Sequence, residues 1–110
     1  MGTTAARTVD PITALRVTAD THGLDTNHLI TTPNGREAHV FTADVNDLGT
    51  WLDELGGHVT RQPAGDGLDM WSFHTHTDFR SDGTSTPIVM HALTLTGQLV
   101  PSGLIAALAA

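Results

Sequence analysis

The sequence predicts an α+β fold, a two-layer sandwich in which helices cover one face of a mostly antiparallel sheet. Two stretches with apolar residues at helical spacing are separated by runs of alternating apolar and polar residues. Clusters of Gly, Pro, Asn and Asp interrupt those runs at hairpin intervals. The chain of 110 residues also contains 18 Thr, a β-branched residue that favours strands. The length suits one domain, expected over residues 10–110 behind a flexible lead-in at 1–9. The predicted order is α-β-β-α-β-β-β with a possible short final helix.

Asp10 and Pro11 mark the first helix, because Asp caps free amides and Pro fits the first helical position. Ile12, Leu15, Val17 and Ala19 follow, and Gly23 stops the run, so the helix is expected over 11–22. Residues 28–43 read as a hairpin around Asn34 and Gly35, where positive φ angles are tolerated. Asp44 then caps a second helix carrying Leu48, Trp51, Leu52 and Leu55, with Asp47 in its first turn and Gly56 and Gly57 at its end. Strands are expected at 58–62, 68–78 and 87–96, separated by a five-residue loop at 63–67 and a turn near Ser81, Asp82 and Gly83. After Pro101, Ser102 and Gly103, the apolar tail from Leu104 onward suits one or two helical turns.

Side-chain alternation suggests a register. Placing Gln62 opposite Leu68 sets Val59 against Trp71 and Arg61 against Asp69, one apolar and one opposite-charge pair. Placing Phe73 opposite Leu93 and Trp71 opposite Leu95 keeps large apolar groups together. Val59, Trp71, Phe73, Val89, Leu93 and Leu95 then face the helices, with His91 buried and neutral among them. His58, Met70, Ser72, His74, His76, Asp78, Ile88, Met90 and Ala92 take the other face.

Ten Asp and two Glu stand against five Arg and no Lys, a formal charge of −7, beside seven His. Nucleic acid and anionic membranes are therefore not expected partners. Protonation of the histidines would largely cancel the negative charge, so the electrostatics should change between neutral and mildly acidic pH. With no Cys, disulfides and thiolate chemistry are excluded. No stretch has the length of a spanning helix, and Met1 to Arg7 hold no apolar signal core, so a cytoplasmic location is expected.

Two constellations stand out. His58, His74 and His76, sharing a strand face, form a candidate metal set, because imidazoles are favoured ligands of divalent ions. Met70, Ser72, Ile88, Met90 and Ala92 form a candidate interaction face, too apolar for full solvation and suited to a second copy or a protein partner. His22 and His28 read as loop or element-end residues. There is no nucleophile elbow, phosphate loop or dinucleotide fingerprint.

The run from His39 to Leu48, followed by Trp51 to Gly57 and three strands, resembles one βαβββ module of the vicinal oxygen chelate superfamily, the glyoxalase and bleomycin-resistance type. That resemblance covers residues 38–96. It implies that His39, on the module's first strand, binds a divalent metal such as zinc, nickel or manganese, and that two modules pair by dimerisation. The family's second ligand, a Glu on the last strand, has no counterpart in 87–96. The Arg-only basic complement and the segments 51–57 and 67–71 also resemble small actinobacterial proteins of the Streptomyces type, which implies a bacterial source and no activity. Residues 107–110 resemble the end of the bacterial tag on stalled translation products, which makes Leu108, Ala109 and Ala110 a candidate degradation signal.

The expected function is a non-enzymatic binding module without a cofactor, forming a homodimer or binding a protein partner through its sheet. The alternative is a metal- or small-ligand-binding protein of chelate-like topology.

Overall fold

The computed structural model describes residues 10–108. The expected lead-in at 1–9 lies outside the described residues. Asp10 caps α1 (Pro11–Thr21): its carboxylate accepts the Ile12 amide at 3.3 Å and the Thr13 hydroxyl at 2.9 Å. This helix buries Leu15, Thr18 and Ala19. β1 (Ile30–Asn34) and β2 (Glu37–Thr42) form the expected hairpin. Its two-residue turn is Gly35 and Arg36, one position later than expected. Gly35 alone carries positive φ, +63°, the pattern of a type II′ turn.

Asp44 accepts the Asn46 amide at 2.9 Å, ahead of α2 (Asn46–Leu55), which buries Leu48 and Trp51. Gly57 then turns the chain into the sheet. A Cβ at this position would lie 2.2 Å from the His74 carbonyl oxygen, and φ is +141°, so only glycine passes here. β3 (His58–Gly65), β4 (Leu68–His76) and β5 (Pro87–Leu95) follow, and α3 (Ser102–Ala106) closes the described chain.

The fold class is as expected: three helices and a mixed, mostly antiparallel sheet of order β1-β2-β5-β4-β3. The parallel pair is β2 with β5, so the segment 37–95 folds as a βαβββ unit. α1 packs on β1 and β2, α2 packs on β4 and β5, and α3 packs on α2.

Two register expectations are corrected. In the β3–β4 hairpin Val59 faces Phe73 and Arg61 faces Trp71, and His58 stands directly opposite His74. β3 runs through a bulge at Pro63–Gly65 to a tight turn at Asp66 and Gly67, both at positive φ, so there is no five-residue loop. That shift is even, and side chains keep their faces. Arg61 consequently lies over the Trp71 ring, 5.4 Å from its centroid, and does not meet Asp69.

Between β4 and β5 the difference is odd: Phe73 faces Met90 and Trp71 faces Ala92, so β5 presents the reverse of the expected sides. Ile88, Met90, Ala92 and Thr94 lie buried beneath the helices, while Val89, His91, Leu93 and Leu95 point the other way. Both alternations of β5 are apolar, and the polar groups decide between them. Burying His91 would leave an imidazole to be satisfied, whereas the Thr94 hydroxyl accepts the Trp71 indole N–H at 3.0 Å. The core is thus Leu15, Ala19, Ala38, Val40, Leu48, Trp51, Val59, Trp71, Phe73, Ile88, Met90, Ala92 and Leu104 with their neighbours.

Both edge strands contain a proline, Pro33 in β1 and Pro63 in β3, which interrupts the donor row a pairing strand would use. The outer edge of β3 is also occupied, since the Val59 amide donates to the Ala107 carbonyl at 3.0 Å. Leu104 is buried and Leu108 packs on the core beside Val59, so the start of the apolar tail is part of the fold. Of the candidate degradation signal, Ala109 and Ala110 lie outside the described residues.

Candidate functional site

Strand alternation sends one set of side chains away from the helices. From β1 come Ile30, Thr32 and Asn34; from β2, Glu37, His39 and Phe41; from β5, Val89, His91, Leu93 and Leu95. β4 adds Met70, Ser72 and His74, and β3 adds His58, Thr60 and Gln62. Among the strand residues on this side, Glu37 is the only Asp, Glu or Arg. Large apolar groups are left accessible: Phe41 is 40% exposed, Leu93 50% and Leu95 64%. Two open depressions of about 310 and 330 Å³ indent the region, one beside His91 bounded by Phe41, Met70 and Leu93, the other between His58 and His76.

Five histidines are on this side: His76 at the end of β4, and four others that form two pairs. His58 and His74 stack with ring centroids 4.7 Å apart and planes 7° from parallel, and His74 Nε2 meets the Thr60 hydroxyl at 3.0 Å. His91 is stacked between His39 and Phe41 at 5.3 and 5.1 Å. It also belongs to a hydrogen-bonded chain. Glu37 Oε1 lies 2.9 Å from His39 Nε2, His39 Nδ1 lies 3.2 Å from His91 Nε2, and His91 Nδ1 lies 2.8 Å from the Ser72 hydroxyl.

With Glu37 ionised and both rings neutral, only one proton arrangement satisfies every link. His39 Nε2–H donates to the carboxylate, so its Nδ1 must accept. His91 Nε2–H is then the donor, its Nδ1 accepts, and Ser72 O–H donates.

Burial holds His91 below the ordinary imidazole value, with His39 and His74 adding like-charge repulsion. His74 is lowered for the same reasons, burial first and then His58. The expectation of a core His91 is therefore corrected in place but not in sense: the ring is half-buried and resists protonation, on the open side of the sheet.

The predicted metal set is dispersed. His58 and His74 come together; His76 turns its Nδ1–H to the Thr77 carbonyl at 2.7 Å and packs against Phe79. Val89 separates His39 from His74, two strand spacings or roughly 10 Å across the sheet. Among the described residues, no three His, Asp or Glu side chains converge as a metal site. Of the predicted interaction face, Met70 and Ser72 are on the open side, and Ile88, Met90 and Ala92 are in the core because of the odd register shift. The Glu37–His39–His91–Ser72 chain was missed for the same reason; the parallel β2–β5 pairing that joins it left no local signal.

The remaining histidines lie around the helical layer. His22, the C-cap of α1, meets Glu54 of α2 at 3.2 Å through Nδ1 and Asp78 of the β4–β5 connection at 3.0 Å through Nε2. His28 Nε2 meets Asp47 at 2.9 Å. Both imidazoles are raised above their ordinary value, His22 chiefly by the Asp78 and Glu54 hydrogen bonds and His28 chiefly by Asp47. No helix among the described residues is long and apolar enough to cross a membrane.

No protein-family model, no curated protein and no solved structure matches this chain.

Proposed function

We propose that this protein is a self-associating module whose open sheet face receives the same face of a second copy. The observation that carries this reading is the face itself: exposed Phe41, Leu93 and Leu95 around half-buried imidazoles, with one carboxylate, on a chain of formal charge −7. Like-charged copies repel wherever their acids meet, and this is a side from which strand acids other than Glu37 are absent. Five strands about 4.8 Å apart and averaging about seven residues give a projected area on the order of 600 Å². Raised side chains add to that figure, which approaches the roughly 800 Å² per partner of a standard interface. Association edge to edge is disfavoured by Pro33, Pro63 and the Ala107 contact on β3.

The test is sedimentation velocity on the full chain near neutral pH. A dimer is expected, and Leu93→Asp or Phe41→Asp should yield a monomer with an unchanged circular dichroism spectrum. A wild-type chain that stays monomeric at high concentration overturns the reading.

The chelate resemblance supports a second reading through one feature: the 37–95 unit has the βαβββ order, with His39 on its first strand and His91 3.2 Å away on its last. A single chain does not fit a metal ion, since two ring nitrogens already hydrogen-bonded to one another are too few donors. This reading therefore needs a second copy as well. Elemental analysis of untagged protein, and thermal shift with zinc, nickel or manganese, distinguish it from metal-free association.

A further inference from the structure

We infer that self-association through this face is switched by pH: the face accepts a second copy while its imidazoles are neutral and releases it as they take up protons. The inference rests on the self-association reading above and concerns its control.

The His39–His91 link limits how many protons the face can hold. One added proton is accommodated, because either ring, once charged, still offers a donor to every partner in the chain; Ser72 turns from donor to acceptor. A second is not. With both rings charged, His39 Nδ1–H and His91 Nε2–H would point at each other across 3.2 Å. The His58–His74 stack meets the same limit in another way, since two imidazolium rings lying parallel at 4.7 Å repel.

The groups around these rings provide little compensation. β2 contributes Glu37 and His39, β5 contributes His91, β4 contributes His74 and, at its end, His76, and β3 contributes His58. β1 presents only Ile30, Thr32 and Asn34. The first proton on the His39–His91 pair is balanced by Glu37, and every further proton is unbalanced. In a symmetric assembly each unbalanced charge is doubled and moved out of water at the interface, which opposes association. The lowered protonation tendency of His74 and His91 in the single chain is the same effect already begun.

The experiment is sedimentation velocity of the full chain from about pH 7.5 down to about pH 5.5, within the range where near-UV circular dichroism reports an intact fold. If two imidazoles per copy, four per dimer, must stay neutral, Kd should rise by up to about 10,000-fold over that interval, and by less the further their pKa lies below the ordinary imidazole value. In the double variant His74→Gln and His91→Gln the slope of log Kd against pH should fall by at least half; the slope is the readout, whatever the variant's absolute affinity. A wild-type dimer whose Kd is independent of pH overturns the switch and leaves self-association standing. An unreduced slope in the double variant also overturns it, by assigning the protons elsewhere. A chain that is monomeric at every pH overturns self-association itself.

Discussion

On β5, Ile88, Met90 and Ala92 are sealed beneath the helices, whereas the alternate residues Val89, His91 and Leu93 stand on a side that no described helix covers. The covered side is fixed by volume, since it holds Trp51, Phe73, Leu48 and Met90 with essentially no exposure. The open side is held by imidazoles and a single carboxylate. Around the helical layer the histidines behave differently again: His22 and His28 are gripped by acids. Every ion pair among the described residues uses histidine as its cation. Burial and neighbouring imidazoles make His74 and His91 hard to protonate, whereas acids make His22 and His28 easy to protonate, and the two pairs should answer acid with opposite signs.

The largest contrast is in packing. Met90→Ala should cost about 2–5 kcal/mol in urea unfolding, while Leu93→Ala, half-exposed in the single chain, should cost less than about 1 kcal/mol. Measurement at a concentration that keeps the chain monomeric isolates this difference, and equal costs would break the distinction between the two sides.

Next in size is the acid response of the open side. Folding lowers the pKa of His74 and His91, so their neutral forms support the fold above the unfolded value near 6.5; that support drains away as pH falls below it. Each variant, His74→Gln or His91→Gln, should therefore flatten the loss of melting temperature between about pH 7 and pH 5. A steeper loss would place these rings in the wrong group.

The smallest effect belongs to the acid-clamped pair. His22 has a raised pKa, so its contribution is complete below about 6.5 and disappears as pH rises through the raised value. Replacing His22 by Gln should lower the melting temperature more at about pH 6 than at about pH 9. Glu54→Gln should reproduce part of that pattern, and a pH-independent loss would mean that the clamp acts by packing rather than charge.

The elements were legible in the sequence because their signals are local. Asp10 caps α1 where expected, Leu48 and Trp51 repeat at helical spacing, and Gly56 and Gly57 stop α2; the N-cap of α2 is Val45, one residue after the expected Asp44, whose carboxylate still accepts the Asn46 amide. Register was not legible where two answers had similar local merit. β5 offers an apolar set on either alternation, and the choice depends on whether Thr94 or His91 finds a partner inside, a question about residues far away in sequence. That single ambiguity moved Ile88, Met90 and Ala92 from the predicted interaction face into the core and brought His91 out to meet His39. His22 illustrates a further limit: its two acids are 32 and 56 residues distant, and nothing near it in the sequence announces them.

The position of β5 also bears on how the chain reaches this structure. It is the last strand in sequence and the middle one in the sheet, hydrogen-bonded to β2 on one side and β4 on the other. Before it is in place, β1–β2 and β3–β4 are two separate ribbons, each too small to be stable alone. A ribosome must therefore release the chain through β5 before the core can close, and any truncation that removes β5 leaves two hairpins with no common sheet. The folding rate should accordingly be governed by closing the long loop between β2 and β5.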